Sequence, residues 1–158
     1  MNVVVTGARG FLGKNLVVAL RRRADVHVTE IVRATPRADR EAALAEADAV
    51  AHLAGVNRPP REDDHEPGNA GITRELCDTL RRLGRTPRIV YASSTRATSD
   101  DAYGRSKRAA EQALEAYAAA SGAPLAVFRL PNVFGKWCRP HYNSFVATFC
   151  HEIARDGA

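Results

Sequence analysis

A tyrosine and a lysine four positions apart are the residues of this sequence best suited to acid–base chemistry. Tyr103 and Lys107 stand near the start of a predicted helix, where this spacing places both side chains on one face. A phenol with the ordinary pKa of about 10 is a slow acid at neutral pH, but a nearby ammonium group stabilises the phenolate and lowers that pKa. The pair therefore predicts a lysine-tuned proton donor, and the alternative is an ordinary contact on a helix surface.

Hydroxyl groups follow the apolar segment 88–92, which predicts a buried strand. Ser93, Ser94 and Thr95 come directly after it, and α/β sheets bind ligands at the carboxyl ends of their strands. Any of the three could hold a substrate oxygen beside the phenol of Tyr103. Because the serines end a strand and Tyr-x-x-x-Lys lies on the next helix, a catalytic site is favoured over a surface pair.

Three glycines at intervals of three residues predict a site for the phosphates of a dinucleotide. They lie between an apolar strand over 2–6 and an amphipathic helix over 11–23. Glycines there permit a tight turn and a close approach of the backbone to pyrophosphate, and the helix N-terminus offers unpaired N–H groups. The expected contacts are Gly7, Arg9, Gly10, Phe11, Leu12 and Gly13. A glycine-rich turn that binds nothing is the alternative.

The end of the second predicted strand, 26–33, indicates which cofactor would bind. A carboxylate there hydrogen-bonds the ribose of NAD, whereas an arginine accepts the 2′-phosphate of NADP. Arg33 occupies the strand end, and Arg9 in the glycine-rich loop could reach the same phosphate. The two arginines favour NADP(H), and Glu30, placed inside the strand, leaves NAD(H) as the alternative.

Strands and helices alternate along the chain, and this order determines the expected architecture. Further strands are predicted at 48–53 and 125–130, and further helices at 37–47, from an Asn69 cap to Gly84, from Asp100 or Asp101 to residue 121, and at 141–154. Parallel strands joined by helical crossovers form a doubly wound sheet with helices on both faces. We therefore predict an α/β fold, a single Rossmann-like NAD(P)-binding domain over residues 1–158.

Composition and charge exclude several classes of protein. No apolar run among the 158 residues is long enough to cross a membrane. No signal peptide is visible, so a cytoplasmic protein is expected. The net charge of +5 comes mostly from arginines without a nucleic-acid-binding motif, which favours an anionic small molecule over nucleic acid. The cysteines are expected to be reduced, and no four-ligand metal set is complete around Cys138, His141, Cys150 and His151.

Two more segments resemble motifs of one enzyme family. Residues 52–55 (His-Leu-Ala-Gly) and 129–135 (Arg-Leu-Pro-Asn-Val-Phe-Gly) are similar to motifs of the extended short-chain dehydrogenase/reductases, in the branch that acts on sugar nucleotides. Segments 52–59 and 131–154, with the unusual Lys136-Trp137-Cys138, resemble the reductases of capsular polysaccharide synthesis within that branch.

The resemblance assigns roles to individual residues. It implies Tyr103 as proton donor, Lys107 as ribose anchor and Ser94 as the hydroxyl that holds the reacting oxygen, with Ser93 or Thr95 as substitutes. It also implies cofactor contacts from Leu53, Ala54, Gly55 and Leu130 beside Tyr103 and Lys107. The implied substrate contacts are Asn57, Arg58, Ser94, Thr95 and Asn132.

The reaction that the resemblance implies is the NADPH-dependent reduction of the C4 ketone of a UDP-linked 6-deoxy-hexulose. In the family a substrate-binding subdomain and a zinc-dependent cupin domain follow, and we expect both to be absent from residues 1–158. The apolar surface left uncovered would favour a homodimer or association with a partner that supplies the missing domain. The alternatives are a non-catalytic dinucleotide-binding module and an NAD-dependent epimerase or dehydratase.

Overall fold

Five parallel strands form one sheet in the computed structural model, which describes residues 1–155. The strands are β1 (Asn2–Thr6), β2 (His27–Ile31), β3 (Ala49–His52), β4 (Arg88–Ser94) and β5 (Leu125–Leu130). The α-helices are α1 (Phe11–Arg21), α2 (Arg37–Ala45), α3 (Ile72–Arg82), α4 (Ala102–Ser121) and α5 (Phe145–Ile153). The predicted α/β fold, a Rossmann-like parallel sheet with helices on both faces, is confirmed.

The strand order β2-β1-β3-β4-β5 creates a crevice at one edge of the sheet. Connections from β1 and from β3 leave in opposite directions, and doubly wound sheets bind ligands where this reversal occurs. Thr6 and His52, the last residues of β1 and β3, are paired in register. The glycine-rich loop follows Thr6 directly, so the fold places that loop at the mouth of the crevice.

Two apolar layers hold the helices against the sheet. On one face, Val4 and Val50 pack in a core with residues of α2, α3 and α4. On the other face, Val3 and Val5 pack against Val17 of α1. Neighbouring residues of a strand point to opposite faces, so the apolar run of β1 reflects burial on both sides.

The start of α4 is fixed by a side-chain cap and by a close backbone contact. The Asp101 carboxylate accepts a hydrogen bond of 2.9 Å from the N–H of Gly104. A Cβ at Gly104 would lie 2.5 Å from the carbonyl oxygen of Ser99, so glycine allows the helix to approach the short 3₁₀ turn after β4. This contact places Tyr103 and Lys107 beside the end of β4.

Several element boundaries differ from the sequence predictions, and two of these differences lie near the candidate site: the end of β4 and the start of α5. β4 continues through Ser93 and Ser94, because both residues pair with β5. α5 begins after Ser144, whose hydroxyl accepts a hydrogen bond of 3.2 Å from the N–H of Ala147, and not at residue 141. His141 has a φ of 54°, which is incompatible with a right-handed helix.

Apolar side chains lie exposed on β5 and on the segment that follows it. Phe128 is 54% exposed, and Phe134, Phe145 and Phe149 are each more than 60% exposed. No residue of α5 is buried. This exposed surface agrees with the expectation from the sequence. Within residues 1–155, none of the helices has the length and apolar character needed to span a bilayer.

Candidate active site

The glycine-rich loop forms a tight turn between β1 and α1. Gly7 has a φ of 67°, and its carbonyl oxygen accepts a hydrogen bond of 2.9 Å from the N–H of Gly10. A Cβ at Gly7 would lie 2.7 Å from the nitrogen of Ala54, and one at Gly13 would lie 2.7 Å from the Cα of Ala8, so both positions require glycine. α1 begins without a side-chain cap, which leaves the N–H groups of its first turn available to an anion.

A cleft of about 410 Å³ extends from this loop across the ends of β1, β2 and β3. Apolar side chains that include Ile31, Leu44 and Ile72 contribute to its walls and could contact a planar base. Seven predicted cofactor contacts line it: Gly7, Arg9, Gly10, Arg33, Leu53, Ala54 and Gly55. The glycine positions, the uncapped helix and the cleft therefore fit a dinucleotide. The remaining predicted cofactor contacts are not part of its lining: Phe11, Leu12, Gly13, Tyr103, Lys107 and Leu130.

Four arginines, Arg9, Arg33, Arg37 and Arg40, line this cleft. Arg37 and Arg40 each contact a glutamate, at 2.6 and 3.2 Å. Among the described residues, neither Arg9 nor Arg33 has an ion-pair partner. Positive charge is therefore available near the end of β2, where the sequence predicts a 2′-phosphate to bind.

Glu30, the residue on which the NAD alternative depends, is not part of the cleft lining. Its carboxylate accepts a hydrogen bond of 2.6 Å from the Arg21 guanidinium on α1. The next residue, Ile31, packs into the core on the other face of the sheet and lines the cleft. Because successive residues of a strand face opposite sides, β2 directs Ile31 to the cleft and Glu30 to α1.

His52 is buried at the end of β3, beneath the crevice. Its Nδ1 lies 2.8 Å from the hydroxyl oxygen of Thr6, and its Nε2 lies 2.9 Å from that of Thr73. Burial, assisted by the charge of Lys107, lowers the pKa of His52 to about 3. The neutral imidazole therefore joins β1 to α3 and supports the floor of the crevice.

Asn69 is buried in a π-helical turn, residues 67–71, that leads into α3. Its amide oxygen accepts a hydrogen bond of 3.1 Å from the N–H of Val56, and its amide nitrogen donates bonds of 3.0 Å to the Val56 carbonyl and to the Ser106 hydroxyl. The prediction of a helix cap at Asn69 is wrong, because the loop after β3 and α4 satisfy its polar groups. Asn69 instead holds that loop against the helix that carries Tyr103.

The Lys107 ammonium group lies buried at the junction of α4 and β4. Its Nζ donates a hydrogen bond of 2.8 Å to the carbonyl oxygen of Ala92 and lies 4.5 Å from the ring centroid of Tyr91. Burial lowers the pKa of Lys107 to about 8, while the negative charge of Glu111 acts in the opposite direction. Lys107 is therefore largely protonated at neutral pH.

Tyr103 is partly buried, and its ring contacts an imidazole and a guanidinium group near the crevice. The ring centroids of Tyr103 and His65 are 5.5 Å apart, and the guanidinium carbon of Arg96 lies 5.4 Å from the Tyr103 centroid. Burial raises the pKa of Tyr103 above its usual value, while Ser94 and Arg96 act in the opposite direction. The lowered pKa expected from Lys107 is not found, because burial of the Tyr103 phenol outweighs the groups that lower its pKa.

The two adjacent serines of β4 face opposite sides of the sheet. Ser93 is buried, and its hydroxyl donates a hydrogen bond of 2.5 Å to the Glu111 carboxylate. Ser94 is only partly buried; its hydroxyl accepts a bond of 3.2 Å from the N–H of Arg96, and it influences the pKa of Tyr103. Of the two serines, Ser94 is therefore the one whose hydroxyl lies toward the phenol of Tyr103.

A buried carboxylate connects α4 with the ends of β4 and β5. The Glu111 side chain is 1% exposed and accepts hydrogen bonds from Ser93, from Arg108 at 3.0 Å and from Arg129 at 2.7 and 2.9 Å. Burial by itself would raise the pKa of Glu111, but the bonds from Arg129, Ser93 and Arg108 hold it at about 2. Glu111 therefore remains ionised and fixes α4 to the strand ends.

The other predicted substrate residues lie in segments that follow the carboxyl ends of strands. Asn57 and Arg58 are exposed after β3, and Asn132 is exposed after β5. Thr95 is exposed at the start of the 3₁₀ turn after β4. Leu130, the last residue of β5, is paired in register with Ser94. The fold therefore brings all of them to the same edge of the sheet.

Several residues of this edge were not predicted from the sequence. Arg37 and Arg40 could have been found, because they follow the second strand at a helical spacing of three residues. His65 carried no such signal, since it lies between β3 and α3 and meets Tyr103 only through tertiary structure.

Three potential metal ligands come together where His141, in the loop before α5, meets His151 and Glu152 of the last turn of α5. The Nε2 atom of His141 lies 2.9 Å from the Glu152 carboxylate, and the two histidine rings are 5.5 Å apart. Cys138 and Cys150 are free thiols and not part of this cluster.

Comparisons with known proteins agree with the fold and with the motifs. Residues 3–157 match the model of the NAD dependent epimerase/dehydratase family. The chain is 46% identical over 156 residues to a UDP-2-acetamido-2,6-beta-L-arabino-hexul-4-ose reductase of Pseudomonas aeruginosa, covering 99% of this chain and 42% of that protein.

Two solved structures are similar to this chain in both fold and sequence. The capsular polysaccharide assembling protein CapF of Staphylococcus aureus superposes with a TM-score of 0.87 and is 46% identical, covering all of this chain and 43% of CapF. MoeE5, solved with UDP-glucuronic acid and NAD, superposes with a TM-score of 0.78 at 26% identity, covering 96% of this chain and 61% of MoeE5. The chain thus spans less than half the length of the two relatives at 46% identity.

The family match extends over almost the whole chain. The chain belongs to the NAD dependent epimerase/dehydratase family.

Proposed function

We propose that this chain carries the cofactor-binding and catalytic part of an NADPH-dependent reductase that acts on the C4 ketone of a UDP-linked 6-deoxy-hexulose. Ser94 is the last residue of β4, and Tyr103 and Lys107 lie beside it on α4. This arrangement is the observation that carries the proposal. The 46% identity to a protein named as a UDP-hexul-4-ose reductase supports the substrate class. The similarity to CapF supports a role in capsular or other cell-surface polysaccharide synthesis.

In the proposed reaction, Tyr103 donates its phenolic proton to the carbonyl oxygen as the ketone becomes an alcohol. NADPH supplies the hydride to C4 when it is bound, and NADP⁺ is the second product. Ser94 holds the same oxygen by a hydrogen bond from its hydroxyl. Lys107 binds the ribose of the cofactor through its ammonium group. Asn57, Thr95 and Asn132 are the proposed contacts with the sugar.

Arg9 and Arg33 are the residues that we propose for the selection of NADPH. Both guanidinium groups line the cleft and have no ion-pair partner in the described part of the chain, whereas Glu30 contacts Arg21 on the other face of β2. A 2′-phosphate bound between the two arginines would be stabilised by charge-assisted hydrogen bonds. The phosphate loop from Gly7 to Gly13 would bind the pyrophosphate of the same cofactor.

An NAD-dependent epimerase or dehydratase is the second candidate. MoeE5, which is 26% identical to this chain, was solved with NAD and a UDP-sugar. Such an enzyme would oxidise the sugar with Tyr103 as base, so the same residues would act in the opposite direction. The two candidates differ in whether reduced cofactor is consumed in proportion to ketone.

The test is to mix the protein with NADPH and a UDP-linked 4-keto-6-deoxy-hexose and to follow the absorbance of the reduced cofactor. We expect the wild type to oxidise NADPH only when the ketone is present. Tyr103→Phe should lower kcat by about 10²–10⁴-fold, since it removes the proton donor. NADPH affinity should stay within a few-fold of the wild type.

Tyr117→Phe is the matched control, because it removes another phenol hydroxyl from the same helix, a buried one that donates to the Arg85 carbonyl. It should reduce stability without reducing kcat. Full turnover by Tyr103→Phe would contradict the role of Tyr103. NADPH binding by the wild type with no ketone-dependent oxidation would instead indicate a non-catalytic dinucleotide-binding module.

The exposed phenylalanines of β5 and α5 lead us to propose that this surface is covered in a homodimer or by a partner protein. We propose that it acts in the cytoplasm, where NADPH and nucleotide sugars are available.

A further inference from the structure

Two guanidinium groups from separate loops lie against the ring of Tyr142. The Arg58 guanidinium carbon is 5.5 Å from the ring centroid, and that of Arg139 is 5.7 Å from it. Arg58 follows β3 and Arg139 follows β5, so both belong to the ligand-binding edge of the sheet. Tertiary structure therefore brings together two cations that are 81 positions apart in the sequence.

Neither of these arginines contacts a carboxylate among residues 1–155. The negative face of an aromatic ring attracts and orders a guanidinium group, but it does not neutralise its charge. Two like charges held against one ring repel each other, and an anion bound by both removes that repulsion. The arrangement is therefore suited to a ligand with more than one negative charge.

The loop that carries Arg139 and Tyr142 is held in a defined conformation. Trp137 and His141 adopt φ values of 66° and 54°, which non-glycine residues rarely occupy. The Asn15 side chain on α1 donates a hydrogen bond of 2.9 Å to the Lys136 carbonyl, and the N–H of His141 donates one of 2.9 Å to the Thr148 hydroxyl. These bonds tie both ends of the loop to helices, so its arginine is ordered before a ligand binds.

The arginine pair also lies at the strand ends that carry the proposed catalytic residues. Arg58 follows β3, and Arg139 and Tyr142 follow β5, whose last residue, Leu130, is paired in register with Ser94. The cleft proposed for the cofactor contains neither Arg58 nor Arg139 in its lining. The pair is thus a second cationic site at this edge, separate from the glycine-rich loop.

We propose that Arg58 and Arg139, ordered by the ring of Tyr142, bind the diphosphate of a nucleotide-linked sugar while its ketone lies against Tyr103. The inference rests on the proposed function, since it assigns the anionic part of that substrate to named residues. Guanidinium groups bind phosphate oxygens through paired N–H donors, which fixes orientation as well as affinity. The site selects a diphosphate-linked sugar over a free ketose by charge.

The test is titration calorimetry of the NADPH-loaded protein with UDP and, separately, with uridine. The wild type should bind UDP more tightly than uridine, and the preference should weaken with added salt. Arg58→Gln and Arg139→Gln should each weaken UDP binding about tenfold or more, because each removes a charge-assisted contact to phosphate. Uridine and NADPH affinities should stay unchanged.

Arg22→Gln is the matched control, since it removes an exposed arginine at the end of α1, at the opposite edge of the sheet. It should leave UDP affinity unchanged. Tyr142→Phe keeps the ring and should retain UDP binding, whereas Tyr142→Leu should weaken it. Equal affinity of the wild type for UDP and uridine, or UDP binding by the arginine variants at the wild-type level, would overturn the inference.

The two proposals fail in different ways. If the double variant Arg58→Gln/Arg139→Gln oxidises NADPH in the presence of ketone with the same KM as the wild type, the proposed reductase activity is supported. The same result excludes the diphosphate site. UDP binding that depends on both arginines, without any turnover, would support the site and contradict the reductase.

Discussion

Lys107 and Ala92 are joined by a hydrogen bond of 2.8 Å from the ammonium group to the backbone carbonyl oxygen. This bond connects α4, which carries Tyr103, to the strand that ends in Ser94. It also places a buried positive charge where the ribose and the phenol are proposed to meet. The Lys107 side chain is thus held by the sheet and not by the tyrosine, and its burial has a measurable effect on stability.

Lys107→Met should remove a pH dependence from the free energy of unfolding. Burial lowers the pKa of Lys107 to about 8 from the ordinary 10.5, so the unfolded chain binds more protons than the folded protein between these two values. The contribution of Lys107 to stability therefore rises with pH across this window. Urea unfolding of both proteins from about pH 7 to about pH 11 measures it.

Below about pH 8 the methionine variant should be the more stable protein, because it buries no charge. The difference between the two proteins should shrink as the pH rises. A difference that stays constant over the whole range would show that Lys107 is not desolvated in the folded state.

Ser94→Ala and Ser93→Ala should separate catalysis from stability at adjacent positions. Ser94→Ala removes the hydroxyl proposed to hold the substrate oxygen and should lower kcat by about 10²-fold with little change in stability. Ser93→Ala removes a donor to the buried Glu111 carboxylate and should lower the free energy of unfolding by about 1–3 kcal/mol.

Ketone reduction and chemical unfolding, measured on both variants, provide the comparison. The reverse result, a large loss of kcat in Ser93→Ala with full activity in Ser94→Ala, would exchange the roles assigned to the two faces of β4.

Arg129→Gln should destabilise the protein more than Arg108→Gln. Arg129 donates two hydrogen bonds to the 1% exposed Glu111 carboxylate, whereas Arg108 donates one. Loss of the arginine that donates two bonds should therefore lower the free energy of unfolding more than loss of the arginine that donates one. Urea unfolding of both variants measures the difference, and equal losses would show that the two arginines stabilise Glu111 to the same extent.

The same cluster should weaken in acid. The pKa of Glu111 in the folded protein is about 2, below its ordinary 4.5, so the stabilisation is complete above about pH 5 and is lost as the pH falls toward 2. Thermal unfolding between these values should show a smaller acid dependence in Glu111→Gln than in the wild type. An identical dependence would mean that Glu111 is not ionised in the folded state.

Arg33→Gln should reduce the preference for NADPH over NADH by about tenfold or more, because it removes a cation from the site of the 2′-phosphate. Arg37→Gln is a suitable control, since Arg37 lines the same cleft but pairs with Glu41 at 2.6 Å. Fluorescence titration with both reduced cofactors measures the ratio. A ratio that is unchanged by Arg33→Gln would remove Arg33 from the selection of cofactor.

The sequence by itself determined the order of strands and helices, the glycine-rich turn and the spacing of Tyr103 and Lys107. These features are local. The period of the hydrophobic residues, the positions of the glycines and the spacing of residues along a helix each depend on only a few neighbouring residues. The same is true of Asp101, which was one of two predicted caps and does cap α4.

Only the tertiary structure decided how side chains from distant segments combine. In the folded protein Ser93 contacts Glu111, whereas Ser94 lies toward Tyr103. Asn69 was predicted as a helix cap, but it joins a loop to α4. Arg58 and Arg139 lie against the same tyrosine ring. These outcomes depend on the register of β4 against β5 and on where loops meet after the chain has folded. A one-residue change of register would exchange the faces of the two serines, and no pattern along the chain encodes that register locally.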